Sequence, residues 1–402
     1  MKRIIHVLLV SLFVLPSTIV KPQEDKLMEE ANKLAQEFMI VDTHIDVLER
    51  LKDKWEDISE RTESGNFDFI RANKGGLNVP FMAIFVAAEY ENNGAKAVAD
   101  SLIDMMESIV KNHPDKFAIP YSVKDVMKIF ESKKMAFAFG MENGAPIEGD
   151  LNNVKYFYDR GIRYITLTHS KANHICDSSY DPDHKWNGLS PFGKKLIEEM
   201  NRLGIMVDIS HVSDSAFYQA LRISRAPIIA SHSSCRFYTP GWERNMSDEM
   251  IKALAEKGGV IQINFGSDFL KQSINEKHSK ERELFNKYLT ENNLQWGDKQ
   301  AEEFIQNYRK ENPNEYADVT DAVDHIDHVV KLAGIDHVGI GSDYDGVGDS
   351  LPTGLKDVSG YPNIIYHLLK RGYSKTDIQK ICSGNILRVW SDVEKIAADL
   401  QN

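Results

Sequence analysis

Cysteine is scarce: the chain has three, Cys176, Cys235 and Cys382. They are too few and too scattered for a disulfide framework or a zinc knuckle. They read as small buried hydrophobes, although an oxidising compartment would permit one bridge. Positive charge is short as well. Lys and Arg number 48 against 60 Asp and Glu, a formal net charge of −12. That balance argues against a nucleic-acid partner, which would want a basic face, but leaves room for a small anion held by one Arg in a cleft. The chain has no low-complexity linker and no sequence repeat. It has no G-x-S-x-G elbow and no P-loop, so a nucleophilic serine and phosphoryl transfer find no support.

What is present is ordinary in bulk. The chain is 42% hydrophobic and 27% charged, as soluble globular proteins are. Its 402 residues suffice for two or three average domains or for one large barrel with additions. The exception is the N-terminus, "MKRIIHVLLVSLFVLPSTIVK". Lys2 and Arg3 precede an apolar run to Val20 that Pro16 interrupts. This is a basic n-region followed by an h-region. The run is short for a full membrane span of ~20 residues, and no cysteine nearby offers a lipid attachment point. Residues 1–22 are therefore expected to be a signal peptide or an N-terminal anchor, and residues 23–402 a single exported domain. Export implies a periplasmic or secreted location, with membrane contact only if the N-terminal segment stays uncleaved.

Beyond that segment, apolar runs of strand length alternate with amphipathic helical stretches such as "LIEEMNRL" and "MIKALAEK". The runs are "FMIVDTHID", "VPFMAIFVA", "MAFAFGMEN", "RYITLTHS", "IMVDISHV", "PIIASHSS", "VIQINFG" and "HVGIGSDYDG". Alternation of this kind predicts a parallel α/β sheet. Chemically capable residues close six of the runs: His44 with Asp46, Glu142, His169, His211, His232 and Asp343. A (β/α)8 TIM-type barrel delivers the C-terminal ends of its strands to one mouth, where active sites lie. An open doubly wound sheet is the alternative, and would spread the same ends along a line. Two connections are long, about 48–76 and 267–321. The second is charged and helical in period, and is expected to be a helical insertion on the catalytic face, either solvated or serving as a lid.

His44-x-Asp46 places two ligands on one face of a strand, because strand side chains alternate with period 2. Neutral imidazole and carboxylate are normal zinc ligands. Alone, each strand-end residue has a plainer reading as a turn or satisfied core residue; together, His44, Asp46, Glu142, His211 and His232 are too many ligands for one four-coordinate zinc. They suit two metals sharing a carboxylate, roughly 3.5–4 Å apart. Such a pair activates water for attack on an electrophile, which means hydrolysis.

At these residues the chain resembles the membrane (renal) dipeptidase family, a zinc-dependent branch of the amidohydrolase-like barrels. The resemblance covers nearly everything after the N-terminal segment. It rests on "VDTHID", "GMENG", "YITLTHSKANHICDSS", "GLSPFGKKLIEEMNRLGIMVDISHVSD", "APIIASHSSCR", "RNMSDEMIKAL", "GGVIQINF", "DHIDHVVKLAGIDHVGIGSDYDG", "LPTGLKDVSGYP" and "GNILRVW", in that order. It implies a binuclear zinc dipeptidase, with two Zn2+ per chain and a metal-bridging hydroxide as the attacking group. It implies that His44 and Asp46 hold one zinc, that Glu142 bridges both, and that His211 and His232 hold the second. His169 would bind substrate and stabilise the oxyanion. Arg244, in "ERNMSD", would receive the C-terminal carboxylate of a dipeptide. Asp343 would carry the proton, with Asp345 as the next candidate. Asp42 is expected to support the site from behind or to make a turn, and His174 to be a loop residue. Gly266 departs from the family's pattern, which has an aromatic there, and suggests a wider pocket wall.

Two other function classes remain open on sequence alone. One is a different hydrolase on the same barrel, such as a lactonase or deaminase, although deaminase-like relatives more often carry H-x-H on the first strand. The other is a non-catalytic exported metal-binding protein. The resemblance also leaves room for a homodimer.

Overall fold

All eight apolar runs form strands. They are β1 (Ile40–Ile45), β2 (Leu77–Phe85), β3 (Ala138–Glu142), β4 (Ile162–Thr166), β5 (Met206–Asp208), β6 (Ile229–Ser233), β7 (Val260–Ile263) and β8 (Val338–Ile340). The structure is a computed structural model that describes residues 23–402. The N-terminal segment read above as a signal or anchor lies outside the described residues. Every strand pairs in parallel with its neighbour in chain order, giving one eight-stranded sheet. The β1, β3 and β4 residues are buried at every position. That is the signature of strands covered on both faces, and it explains why the runs read as continuous rather than alternating.

The first and last strands meet at a seam rather than along a regular ladder. The Asp46 N–H donates to the Tyr344 carbonyl at 2.8 Å, and the Asp343 N–H to the His44 carbonyl at 3.0 Å. Asp42 replaces further ladder bonds with its side chain. Its Oδ1 accepts from the Ser342 N–H at 2.9 Å and its Oδ2 from the Tyr361 hydroxyl at 2.6 Å. Asp42 thus fastens the barrel behind the site, as one of its two sequence readings had it. The opposite end of the barrel is filled by apolar side chains: Val41, Val79, Phe81 and Tyr164 with Trp390 of the C-terminal helix Asn385–Gln401. The Phe81 and Trp390 ring centroids lie 5.5 Å apart.

The long first connection contains helices Val47–Asp53 and Phe69–Gly75. Asp345 holds the loop between them. Its Oδ1 accepts the Asn66 N–H at 2.7 Å while its own N–H donates to Asn66 Oδ1 at 3.0 Å, with Arg50 Nε 3.4 Å away. The second long connection contains the hairpin of helices Gln272–Asn292 and Lys299–Glu311, then helix Val319–Ala333, which leads into β8. Tyr288 and Phe304 stack between the hairpin helices, with centroids 3.7 Å apart. The sequence expectation of a helical insertion is met. A helix not anticipated, Gln23–Glu37, buries Ala31, Leu34 and Ala35. Among the described residues no helix is long and apolar enough to cross a membrane.

Candidate active site

The polar strand ends converge. Glu142, the last residue of β3, occupies the centre, and its two oxygens face different partners. Oε2 lies 3.3 Å from His44 Nε2, and His44 Nε2 is in turn 3.3 Å from Asp46 Oδ2. Oε1 lies 3.1 Å from His211 Nε2 and 3.4 Å from His232 Nε2. The two halves adjoin, since the His44 and His232 rings stack at 3.7 Å. His169 stands at the rim, its Nε2 3.6 Å from Glu142 Oε1 and its side chain 24% exposed. The other five side chains are buried.

Asp343 follows β8 and completes the side nearest Asp46. Its Oδ2 accepts from Asn264 Nδ2 at 2.7 Å. Gly346 makes the approach of the two carboxylates feasible, because a Cβ there would lie 2.3 Å from both Asp343 Oδ1 and Asp46 Oδ2. His211 and Asp343 both sit at positive φ, 70° and 64°. Non-glycine residues held there cost of order 1–3 kcal/mol each, and such strain collects at functional sites.

Electrostatics follows burial and proximity. Burial pushes the Asp343 carboxyl up to about 8, and the Asp46 charge adds to that. Burial would also raise Glu142, but His44, His211 and His232 reverse the direction and hold it well below the usual carboxylate range. Burial, then the Arg244 charge, keeps His211 well below its ordinary value; burial, then His44, does the same for His232. Both imidazoles are therefore neutral, with a lone pair to offer.

This donor set fits divalent cations. His44 Nε2 and Asp46 Oδ2 are buried and have no hydrogen-bond partner. His211 Nε2 and His232 Nε2 approach to 2.8 Å, where two lone pairs repel unless a proton or cation lies between them. Ligand atoms within 4.8 Å of one another form the groups His44–Glu142–His232, Glu142–His169–His211 and His44–Asp46–Asp343. The backing suits the same role. Tyr164 donates its hydroxyl proton to the Thr43 carbonyl at 3.0 Å, so the His44 Nδ1–H donates to the phenol oxygen at 2.8 Å, which fixes the ring with Nε2 turned toward Glu142 and Asp46. Tyr164 reaches that position only because Gly140 has no side chain: a Cβ there would lie 1.9 Å from Tyr164 Cζ.

Arg244 is buried beside the cluster. Nη1 donates to Ser233 Oγ at 2.7 Å and Nη2 to the His232 carbonyl at 2.8 Å, with His211 Nε2 3.1 Å away. Its Nε is buried without a partner, and no carboxylate of the described residues pairs with it. Phe269 packs 5.0 Å from its guanidinium carbon, and Tyr180 lies 5.8 Å from the His211 ring.

All eight residues singled out from the sequence thus lie together. Asp345 turns away to the loop it holds, and His174 clamps loops, its Nδ1 2.7 Å from Glu91 Oε1. One expectation is corrected. Gly266 does not widen the pocket, because Phe269 and Val347 fill its side-chain space, 2.8 and 3.1 Å from where a Cβ would stand. Sequence reasoning missed Tyr164, Tyr180, Asp208, Ser231 and Asn264. For Asp208 and Asn264 the signal was available: each is a polar residue inside an apolar run, "IMVDIS" and "IQINF".

The profile of the membrane dipeptidase family (peptidase family M19) matches residues 28–402. Dipeptidase tcpJ of Claviceps purpurea is 33% identical over 343 residues, covering 83% of this chain and 71% of its own. An uncharacterized dipeptidase of Schizosaccharomyces pombe is 30% identical, covering 94% of this chain and 86% of its own. The crystal structure of the probable dipeptidase PvdM from Pseudomonas aeruginosa superposes with a TM-score of 0.80 at 28% identity, covering 92% of this chain and 99% of that one.

Proposed function

The chain belongs to the membrane dipeptidase family of metal-dependent hydrolases, and from that premise we propose that it is an exported binuclear zinc dipeptidase. Its substrates are dipeptides with a free C-terminal carboxylate. The observation that carries the two-metal reading is the division of labour at Glu142, one oxygen toward His44 and the other toward His211 and His232. One ion would be held by His44, Asp46 and Glu142, the other by Glu142, His211 and His232. Bound there, zinc supplies Lewis-acid activation of water and of the scissile carbonyl.

The chain's own groups supply the rest. Asp343 takes the proton of the attacking water and passes it to the leaving amine, a role that suits a carboxylate placed beside Asp46 and oriented by Asn264. His169, at the exposed rim, donates to the oxyanion that develops on the carbonyl. Arg244 receives the substrate carboxylate through charge-assisted hydrogen bonds. Its unpartnered Nε and its place beside His211 support that role, and the need for a terminal carboxylate confines substrates to short peptides. Export rests on the basic and apolar character of residues 1–22, and membrane contact would come only through that segment.

A panel of dipeptides, assayed with and without chelator on protein of measured metal content, tests the proposal. Two equivalents of divalent metal and chelator-sensitive turnover are expected, with His211→Ala losing one equivalent. Full activity at a single equivalent would end the binuclear reading, and absence of turnover with both sites filled would favour a non-catalytic metal-binding protein.

A further inference from the structure

Asp208 is the last residue of β5 and is fully buried beneath the cluster. Its carboxylate makes no hydrogen bond to a residue of the proposed metal site, yet four donors point at it. Oδ1 accepts the N–H of Ser210 at 3.1 Å and of Ser231 at 2.8 Å. Oδ2 accepts the hydroxyls of Thr166 at 2.5 Å and Ser231 at 2.6 Å. The Ser231 hydroxyl also lies 2.8 Å from His232 Nδ1.

A serine hydroxyl has one proton and two lone pairs, whereas an ionised carboxylate can only accept. The Ser231 proton therefore belongs to Asp208, and Ser231 Oγ is left to accept from His232. His232 must then carry its proton on Nδ1, which leaves the Nε2 lone pair directed at Glu142 Oε1, 3.4 Å away.

We propose that Asp208 and Ser231 are positioning residues that set the His232 tautomer for metal binding and make it the stronger-donating imidazole of its pair. The inference rests on the reading of His232 as a ligand. Its partner His211 has a buried Nδ1 with no hydrogen-bond partner, and the His44 chain ends on a neutral carbonyl. Only the His232 chain ends on a carboxylate. Hydrogen bonds of this kind behind a ligating histidine fix its ring and raise its basicity, and losing them typically costs 10–100-fold in metal affinity.

The test strips the full-length protein with chelator and measures Zn2+ binding by equilibrium dialysis. Ser231→Ala removes the hydroxyl link but leaves both backbone donors on Asp208 Oδ1. It is expected to weaken one of the two equivalents about 10–100-fold and spare the other, while Ser231→Thr, which keeps the hydroxyl, stays close to parental. Asp208→Asn should lose at least as much as Ser231→Ala. An amide can donate into Ser231 Oγ, turning the serine proton toward Nδ1 and leaving the histidine proton on Nε2, where it blocks the metal.

His232→Ala separates the two levels. If it binds both equivalents like the parent, His232 is no ligand and the site reading fails. If it loses one while Ser231→Ala loses none, the positioning role is overturned. Equal losses in Ser231→Ala and Ser231→Thr also overturn it, because they would point to volume rather than to the hydroxyl. Histidine 15N spectra of the zinc-loaded parent do not depend on any variant folding: the Nδ1–H tautomer at His232 is expected, and the Nε2–H tautomer refutes the proposal.

Discussion

At the scale of single residues, Asp343 separates catalysis from metal holding. Asp343→Asn preserves shape and can still contact Asn264, but it cannot take a proton from water. General acid–base groups contribute 10²–10⁴-fold, so kcat should fall by about that factor with metal content and KM nearly unchanged. Loss of metal in the variant would make Asp343 a ligand and require another base. Arg244 is tested from the substrate side. A charge-assisted hydrogen bond is worth about 1.5–3 kcal/mol, so Arg244→Ala should cost roughly tenfold to a hundredfold in kcat/KM. A dipeptide amide should be correspondingly poor for the parent enzyme, and equal turnover of amide and acid would refute the assignment. The residues legible in the sequence are those that interrupt apolar runs at strand ends, where an unpaired polar group would be costly. Tyr164 was not legible, because its contact with His44 depends on a space opened by Gly140 on another strand.

At the scale of elements, all eight strands could be read from the chain because continuous burial makes each a continuous apolar run. The links between strands could not. Asp208 meets Ser231 only because β5 and β6 are neighbours, and neither residue carries a spacing signal toward the other. The loop after β6 has its own support. His325, on helix Val319–Ala333, accepts the Cys235 N–H on Nδ1 at 3.0 Å and lies 3.2 Å from the Leu270 carbonyl through Nε2. The bond accepted on Nδ1 requires the neutral ring, and burial pushes its pKa down to about 3. In the unfolded chain it titrates near 6.5. Between those values the unfolded state binds a proton that the folded state does not, so stability falls as pH falls, starting near 6.5. Moving from pH 7 to pH 5 should cost about 2 kcal/mol through this group. His325→Asn should be less stable at pH 7 but should show a smaller loss between the two pH values. Urea unfolding at both pH values measures it, and an undiminished acid sensitivity would exclude His325 as the source.

At the scale of the whole molecule, metal binding is expected to stabilise the fold. Asp46, Glu142 and Asp343 crowd one mouth, and a ligand that binds only the folded state stabilises it by about 4 kcal/mol when present at 1,000 times its Kd. Chelation is therefore expected to lower the thermal midpoint by several degrees, with recovery on adding Zn2+. An unchanged midpoint would mean that the cluster does not hold metal in solution.

The barrel seam has a consequence for how the protein is made. Asp42, His44 and Asp46 leave the ribosome early, whereas the partners that close over them come about three-quarters of a chain later. Asp42 and Ser342 are 300 residues apart in sequence. At about 5–20 residues per second, that interval lasts roughly 15–60 s. Throughout it the nascent first strand carries two carboxylates and an imidazole with no enclosing wall. The seam on that side cannot close before synthesis is nearly complete, so a chain cut short before β8 carries Asp42, His44 and Asp46 without the wall that encloses them.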